Sequence, residues 1–176
     1  MNLTKSTIGL FGTCGASTWR QSFVEYCKNN DISFYNPQLG EGEWNPNFAN
    51  DYVRAEHFHL ANDDIVVFAI TNETIASVSL SEFAFSIMDA ARSSLNRHVV
   101  MFIAEDCIDP KASQDAITAS IKARKTVIPK MVKASKESDF IHLCTNMEDL
   151  FSRTFEIESM LRIQKSINKH KLSLVA

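Results

Sequence analysis

The sequence DDIVVFAITNETIASVSLSEFAFSIMD, residues 63–89, decides the fold. Its first part is a continuous apolar run, residues 65–70, with two aspartates before it and Thr71 and Asn72 after it. A short apolar run between turn signals is typical of a strand that is buried on both faces. Strands of this kind belong to parallel sheets, which helices cover on both sides.

The second part of this stretch predicts a helix over residues 79–92. Its apolar residues recur at spacings of three and four, which is the pattern of one buried helix face; they are Leu80, Phe83, Ile87 and Ala91. Glu82 falls near the start of this helix, just beyond the carboxyl end of the strand, where open α/β sheets bind ligands. This carboxylate either serves a ligand or only satisfies the positive end of the helix dipole.

A strand over residues 7–12 is followed by a loop of small residues and a helix that begins near Thr18. Thr18 and Gln21 have the spacing of a capping box. Backbone N–H groups at a helix start, next to glycines, can accommodate an anion or a sugar. The loop has neither the GK[ST] of a Walker motif nor the third glycine of a dinucleotide fingerprint. Its residues are Gly12, Thr13, Cys14, Gly15, Ala16 and Ser17, and a purely steric reason for the glycines stays open.

Residues 32–35 predict a second strand, and residues 38–46 form a polar loop that contains Trp44. That indole either stacks on a planar ligand or packs on the core as a lid. Residues 47–62 predict a helix that carries two acids, Asp51 and Glu56. His57 and His59 lie two apart on this helix and do not face each other, so the pair predicts no metal site.

The remainder of the chain alternates strands at 98–104 and 140–144 with helices at 113–138 and 147–170. Pro129 predicts a break or kink in the first of these helices. The last helix has more apolar residues than one sheet face covers, and this surplus predicts a second copy of the chain as partner; the extra residues are Phe155, Met160, Ile163 and Ile167.

Five buried strands that alternate with helices predict an α/β fold, a doubly wound five-stranded parallel sheet with helices on both faces. We expect the flavodoxin-like strand order 2-1-3-4-5 in a single domain over residues 1–176. This order brings the loops after the first and third strands together. The loop at residues 12–17 and Glu82 are then expected to share one crevice.

Composition narrows the function classes. The net charge of −3 disfavours nucleic-acid binding, which needs a clustered basic face. No apolar run approaches the length of a membrane span, and the first residues do not resemble a signal peptide. Four scattered cysteines predict neither zinc nor a disulfide framework. We expect a cytoplasmic protein with free thiols, without metal or cofactor.

The residues quoted above resemble the nucleoside 2-deoxyribosyltransferase-like family over roughly residues 8–89. Asp64-Ile65-Val66-Val67 is similar to the aspartate-led strand of that family, and Glu82-Phe83-Ala84-Phe85-Ser86 is similar to its helix start, Glu-aliphatic-Gly-x-Ala. The resemblance implies that Glu82 is a nucleophile, which attacks the anomeric carbon and displaces the base. A carboxylate suits an oxocarbenium-like transition state.

Two positions depart from the family pattern. Ala76 stands where the family usually carries an aspartate that handles the base, and Leu10 or Phe11 stands where a first-strand tyrosine is often found. Base protonation is therefore expected from elsewhere, with Asp51 and Glu56 as the candidates. Besides Glu82, Asp51 and Glu56, the residues expected to contact the substrate are Gly12, Thr13, Cys14, Gly15, Ser17, Arg20, Trp44, Asp64 and Ser79.

Two functions remain open. The first is an enzyme that cleaves or transfers the N-glycosidic bond of a nucleoside or nucleotide. The second is a non-catalytic nucleotide-binding module on the same fold, which the missing acid at Ala76 favours. A response regulator is disfavoured, because residues 6–15 contain no acid. Arg20 in the first helix turn is a candidate for contact with a 5′-phosphate.

Overall fold

A computed structural model describes residues 4–5, 7–14, 17–40, 42–92 and 97–173. Five parallel strands form one sheet in the order β2-β1-β3-β4-β5, which confirms the predicted fold class and strand order. In chain order the elements are β1 (Ile8–Gly12), α1 (Arg20–Asn29), β2 (Phe34–Tyr35), a 3₁₀ turn (Pro46–Phe48), α2 (Ala49–Asn62), β3 (Ile65–Ile70), α3 (Ser77–Arg92), β4 (His98–Ile103), α4 (Gln114–Glu137), β5 (Ile141–Cys144) and α5 (Met147–Ser173).

Strand β3 is the centre of the sheet. All six of its residues are buried, and it pairs with β1 on one side and β4 on the other. Its side chains alternate between the two faces, because successive residues of a strand point in opposite directions. Val67 packs in the core that α1 and α5 cover, and Phe68 packs in the core that α3 and α4 cover. Burial of each such side chain contributes roughly 1.5–3 kcal/mol.

Several element ends differ from the predictions at the amino-terminal side. The predicted capping box at the start of α1 does not form: Trp19 is the cap residue, without a side-chain cap bond, and the Gln21 backbone N–H donates to the Thr18 carbonyl instead. Strand β2 has only two residues. Ile32 donates its N–H to the Cys27 carbonyl and so closes the end of α1 rather than joining the sheet.

The sequence predicts a break or a kink at Pro129. The break does not occur, because α4 is one continuous helix of 24 residues, and the kink stays a prediction. Apolar side chains on both sides of the proline, Val127, Ile128 and Met131, pack against the same core. This packing holds the helix together although proline removes one backbone hydrogen bond.

The last helix buries one side and exposes another. Leu150, Phe155 and Ile157 belong to the core, whereas Ile163 is 61% exposed. The partner copy inferred from this surface stays a prediction. No helix in the described part of the chain is long and apolar enough to cross a bilayer.

Candidate functional site

The loops after β1 and β3 meet at the point where the strand order reverses. The Thr13 N–H donates to the Ala69 carbonyl at 2.9 Å, and the Thr71 N–H donates to Thr13 Oγ1 at 3.0 Å. Thr13 and Ser17 are both buried, and Ser17 Oγ lies 3.4 Å from Thr71 Oγ1. The two loops therefore form one joined wall at the position where open α/β sheets bind ligands.

A cavity of about 460 Å³ opens beside this wall. Its volume is within the usual range for small-molecule sites. Residues of the β1 loop, α1, α2, the β3 loop and the start of α3 line the cavity. They are Gly12, Cys14, Arg20, Glu56, Thr74, Ile75, Ala76, Ser77, Val78, Ser79 and Glu82. We call this cavity the Glu82 cleft. The expected proximity of Glu82 to the glycine loop is thus a feature of the structure.

Gly12 is needed for the shape of the cleft. Its φ of +113° lies in the region that side chains rarely adopt, and a Cβ atom here would collide with the backbone of Ala69. The close approach of β1 and β3 at their carboxyl ends therefore has a steric requirement for glycine. Gly15, the other glycine of the loop, lies outside the described residues.

Two carboxylates share the Glu82 cleft. Burial, and after it the negative charge of Glu56, raise the pKa of Glu82 to about 7. Burial also raises the pKa of Glu56, although His57 and Arg20 act in the opposite direction. Both carboxyl groups are therefore harder to ionise than in water. Two carboxyl groups in one cleft, one as proton donor and one as anion, are what displacement at a glycosidic carbon requires.

Arg20 does not project into solvent as a surface arginine would. It is 2% exposed, and its guanidinium donates to the carbonyls of Leu10 at 3.3 Å, Gly12 at 3.1 Å and Thr13 at 2.5 Å. Burial lowers its pKa. The guanidinium also lies over the Trp19 ring, 4.4 Å from its centroid. Arg20 therefore holds the β1 loop in place, and its donors face carbonyls rather than a phosphate.

Three of the predicted site residues lie away from the Glu82 cleft. Trp44 is 59% exposed and contacts the Tyr52 ring, 5.3 Å between centroids. Asp51 is on α2 but does not line the cleft. Asp64 precedes β3, at the opposite end of the sheet, and binds Lys5 and Lys165. Burial opposes ionisation of Asp64, but the hydrogen bonds from these lysines lower its pKa overall.

The sequence interpretation missed Arg124, which holds the β3 loop in place where this loop lines the cleft. This arginine is fully buried, and it donates to the carbonyls of Thr71 at 2.9 Å, Thr74 at 2.7 Å and Ala104 at 3.1 Å. Ser120 donates from the same helix to the Ile75 carbonyl at 2.8 Å. The signal that could have revealed this role is a charged residue on the apolar side of a predicted helix.

Glu82 also lines a second, more apolar groove of about 310 Å³ between α2 and α3. The groove contains Leu60 and Phe85, and Phe85 is 73% exposed. Glu82 therefore stands between a polar cleft on one side and an apolar groove on the other. Among the described residues, no group of three or more histidines, cysteines or acids is placed to hold a metal ion.

The parallel sheet and the cleft at its switch point are the features of α/β proteins that bind small molecules at this position. A protein-family model described as nucleoside 2-deoxyribosyltransferase like matches residues 5–100. This match spans more than half of the chain, so the protein belongs to that family. The matched segment includes Glu56 and Glu82, whereas α4, β5 and α5 lie beyond it. No curated protein matches the chain.

Proposed function

We propose that the protein is an enzyme that cleaves or transfers the N-glycosidic bond of a nucleoside, with Glu82 as nucleophile and Glu56 as proton donor. The observation that carries this proposal is that both carboxyl groups line one cleft with Gly12 at the switch point of the sheet. Family membership supports a nucleoside as the ligand.

In the first step a carboxylate oxygen of Glu82 attacks the anomeric carbon of the sugar. A bond forms between this carbon and the oxygen while the carbon–nitrogen bond breaks. The base leaves with the electron pair and takes the proton of Glu56. In the second step water or another base attacks the anomeric carbon, Glu82 is released as carboxylate, and the proton of the incoming group passes to Glu56.

Glu56 takes the role that the missing acid at Ala76 leaves vacant. Ala76 lines the same cleft and has no proton to give, and Asp51, the alternative donor, does not line it. Glu56 is on α2, it is partly buried, and its charge acts on Glu82. Asp51 is also on α2 and partly buried, so the position of Glu56 in the cleft and its effect on Glu82 are what favour Glu56 as the donor.

The first test compares base release by Glu82→Ala, Glu82→Gln and the unchanged protein, read by chromatography over a panel of nucleosides and nucleotides. We expect both variants to remain folded by circular dichroism and to lose base release by about 10³-fold or more. Full activity in either variant would refute the nucleophile. A transferase moves the sugar to an added free base, whereas a hydrolase gives only free sugar and base.

The second test concerns the proton donor. Glu56→Gln is expected to slow base release by about 10²–10⁴-fold, whereas Asp51→Asn, on the same helix, retains activity. A nucleoside of 7-methylguanine has a positively charged base that leaves without protonation. Glu56→Gln should therefore cleave this nucleoside at nearly the rate of the unchanged protein. An equal loss on both substrates would show that Glu56 does not donate the proton.

The pH dependence gives an independent reading of the same pair. Glu82 attacks only as a carboxylate, and burial and the charge of Glu56 raise its pKa to about 7. We therefore expect kcat/KM to rise as the pH increases through about 7, and to fall at higher pH where Glu56 loses its proton. A kcat/KM that does not change between pH 5 and pH 8 would contradict Glu82 as the nucleophile.

A non-catalytic nucleotide-binding module is the second candidate, and the observation that favours it is Ala76 in the cleft. Calorimetry with nucleosides and nucleotides, paired with a product assay on the same samples, separates the two. Tight binding without product over days would favour the binding module.

A further inference from the structure

A larger cavity, of about 820 Å³, lies on the other side of the β3 loop from the Glu82 cleft. We call it the β4–β5 cavity. It is bounded by the loop after β3, the carboxyl ends of β4 and β5, helix α4 and the first turn of α5. Neither the family match, which ends at residue 100, nor the proposed chemistry accounts for this cavity, because most of its lining comes from later residues.

The charged side chains that line the β4–β5 cavity are all negative. Three of its residues are acids, Glu73, Glu105 and Asp106, and none of its lining residues is a lysine, arginine or histidine. Glu105 and Asp106 are exposed at the surface of the loop after β4. Arg124, buried beneath the β3 loop, offsets part of this charge: burial lowers its pKa overall, whereas Cys107, Asp106 and Glu73 act to raise it. Three acids against one buried cation leave a negative cavity, which repels anions and attracts cations.

The remaining wall of the cavity is apolar. Phe102 and Leu143 on the strands, Ile128 and Val132 on α4, and Met147 at the start of α5 supply it. A ligand with an apolar body would remove this wall from contact with water, which is energetically favourable. A metal ion or a small inorganic cation would leave this wall unfilled.

We propose that the β4–β5 cavity binds a small organic cation, an amine joined to an apolar or aromatic body. The ammonium group lies toward Glu73, Glu105 and Asp106, and the body lies against Phe102 and Val132. This site is separate from the Glu82 cleft, and the proposal is independent of the reaction proposed there.

The two sites share the β3 loop. Thr71, Asn72 and Glu73 line the β4–β5 cavity, and the next residues of the loop, 74–76, line the Glu82 cleft. Asn72 donates to Asp106 at 3.2 Å, and Glu73 accepts from Ser17 Oγ at 3.4 Å. A cation that contacts Glu73 and Asp106 therefore touches groups whose bonds position the loop. We expect occupancy of the cavity to change the amide signals of residues 74–77.

The test uses three probes of nearly equal size, 2-phenylethylamine, 2-phenylethanol and 3-phenylpropionate, each titrated into the full chain at pH 6.5 and low salt by NMR or calorimetry. We expect the amine to bind about ten-fold or more tightly than the alcohol and the carboxylate to bind most weakly. Added salt should weaken binding of the amine and leave binding of the alcohol unchanged. If the alcohol binds as tightly as the amine, or if none of the probes binds at millimolar concentration, the proposal is refuted.

Two variants locate the bound amine. Glu105→Gln combined with Asp106→Asn removes two exposed charges and should bring the amine to within about three-fold of the alcohol. Val132→Trp, at a position that is 38% exposed, fills the cavity and should abolish binding of both. Glu156→Gln, on the exposed side of α5, is the matched control and should bind like the unchanged protein. If Val132→Trp binds the amine normally while Glu82→Gln does not, the amine occupies the Glu82 cleft and the proposal is wrong.

Discussion

Replacement of Glu82 by glutamine is expected to stabilise the folded protein at pH 8 much more than at pH 4.5. Glutamine has the shape of a protonated glutamate and carries no charge. The pKa of Glu82 is raised from 4.5 to about 7, first by burial and then by the charge of Glu56. The folded state therefore binds this proton more tightly than the unfolded chain does, and the unchanged protein loses stability as the pH rises from about 4.5 to about 7.

The size of the effect follows from the shift. A pKa raised from 4.5 to about 7 corresponds to an upper limit of roughly 3 kcal/mol, at about 1.4 kcal/mol for each pKa unit. Glu82 is only partly buried, and solvent screening reduces this limit to about 1–2 kcal/mol. For a domain of this length, such a gain corresponds to a melting temperature about 3–6 °C higher. Below pH 4.5 the carboxyl is protonated in both states, and the two proteins should have equal stability.

The measurement is the free energy of unfolding in urea, together with the melting temperature, at pH 4.5, 6 and 8. Asp51→Asn removes one negative charge from α2 without touching the Glu82 cleft, and it controls for net charge. The reasoning fails if Glu82→Gln is less stable than the unchanged protein at pH 8, or if its gain is the same at all three pH values. The same variant should be inactive, so one substitution separates stability from function.

Two further substitutions test the walls of the cleft. Arg124→Met leaves buried carbonyls without a donor and should lower the free energy of unfolding by about 3–5 kcal/mol. The control Arg153→Met, at an exposed position, should change it by less than about 0.5 kcal/mol. Equal effects of the two variants in urea unfolding would contradict the role assigned to Arg124. Gly12→Ala should cost several kcal/mol because of its steric collision, whereas Gly42→Ala has open space at a positive φ and should cost about 1 kcal/mol. A small loss of unfolding free energy in Gly12→Ala would show that β1 and β3 can move apart to accommodate the methyl group.

The sheet could be predicted from sequence because its signal is local. Continuous apolar runs marked β3 and β4, and glycine or turn residues marked where strands stop. Chain connectivity with right-handed crossovers then limited the strand order. The same topology predicted that Glu82 lies near the glycine loop, because the carboxyl ends of neighbouring parallel strands must meet at one edge.

The element ends were predicted less well because they depend on distant contacts. Ile32 has the composition of a strand residue, but its N–H bonds to the end of α1. Thr18 has the spacing of a cap, but Trp19 takes the cap position, and its indole N–H donates to the Thr13 carbonyl at 3.0 Å. A local pattern does not report which of several possible partners a backbone group finds in the folded chain.

The choice between Asp51 and Glu56 could not be made from sequence. The two acids are five residues apart on α2, and this spacing places them on different sides of the helix. Which side faces α3 depends on how the helix packs, and here Ala55 and His59 are its buried residues. Glu56, next to Ala55, lines the cleft as a result.

The proposed role of Glu56 places the acid on α2 instead of the β3 loop, and the structure of that loop bears on this proposal. The loop position that the family resemblance assigns to the acid is Ala76, and its φ of +51° lies in the left-handed region. The preceding carbonyls, of Thr74 and Ile75, are held by Arg124 and Ser120. A loop that is held in this way fixes one wall of the cleft but has little freedom to move a side chain toward a leaving base. Glu56 lies on α2, outside that hydrogen-bond network, so as the proposed donor it can release its proton without disturbing the loop that lines the cleft.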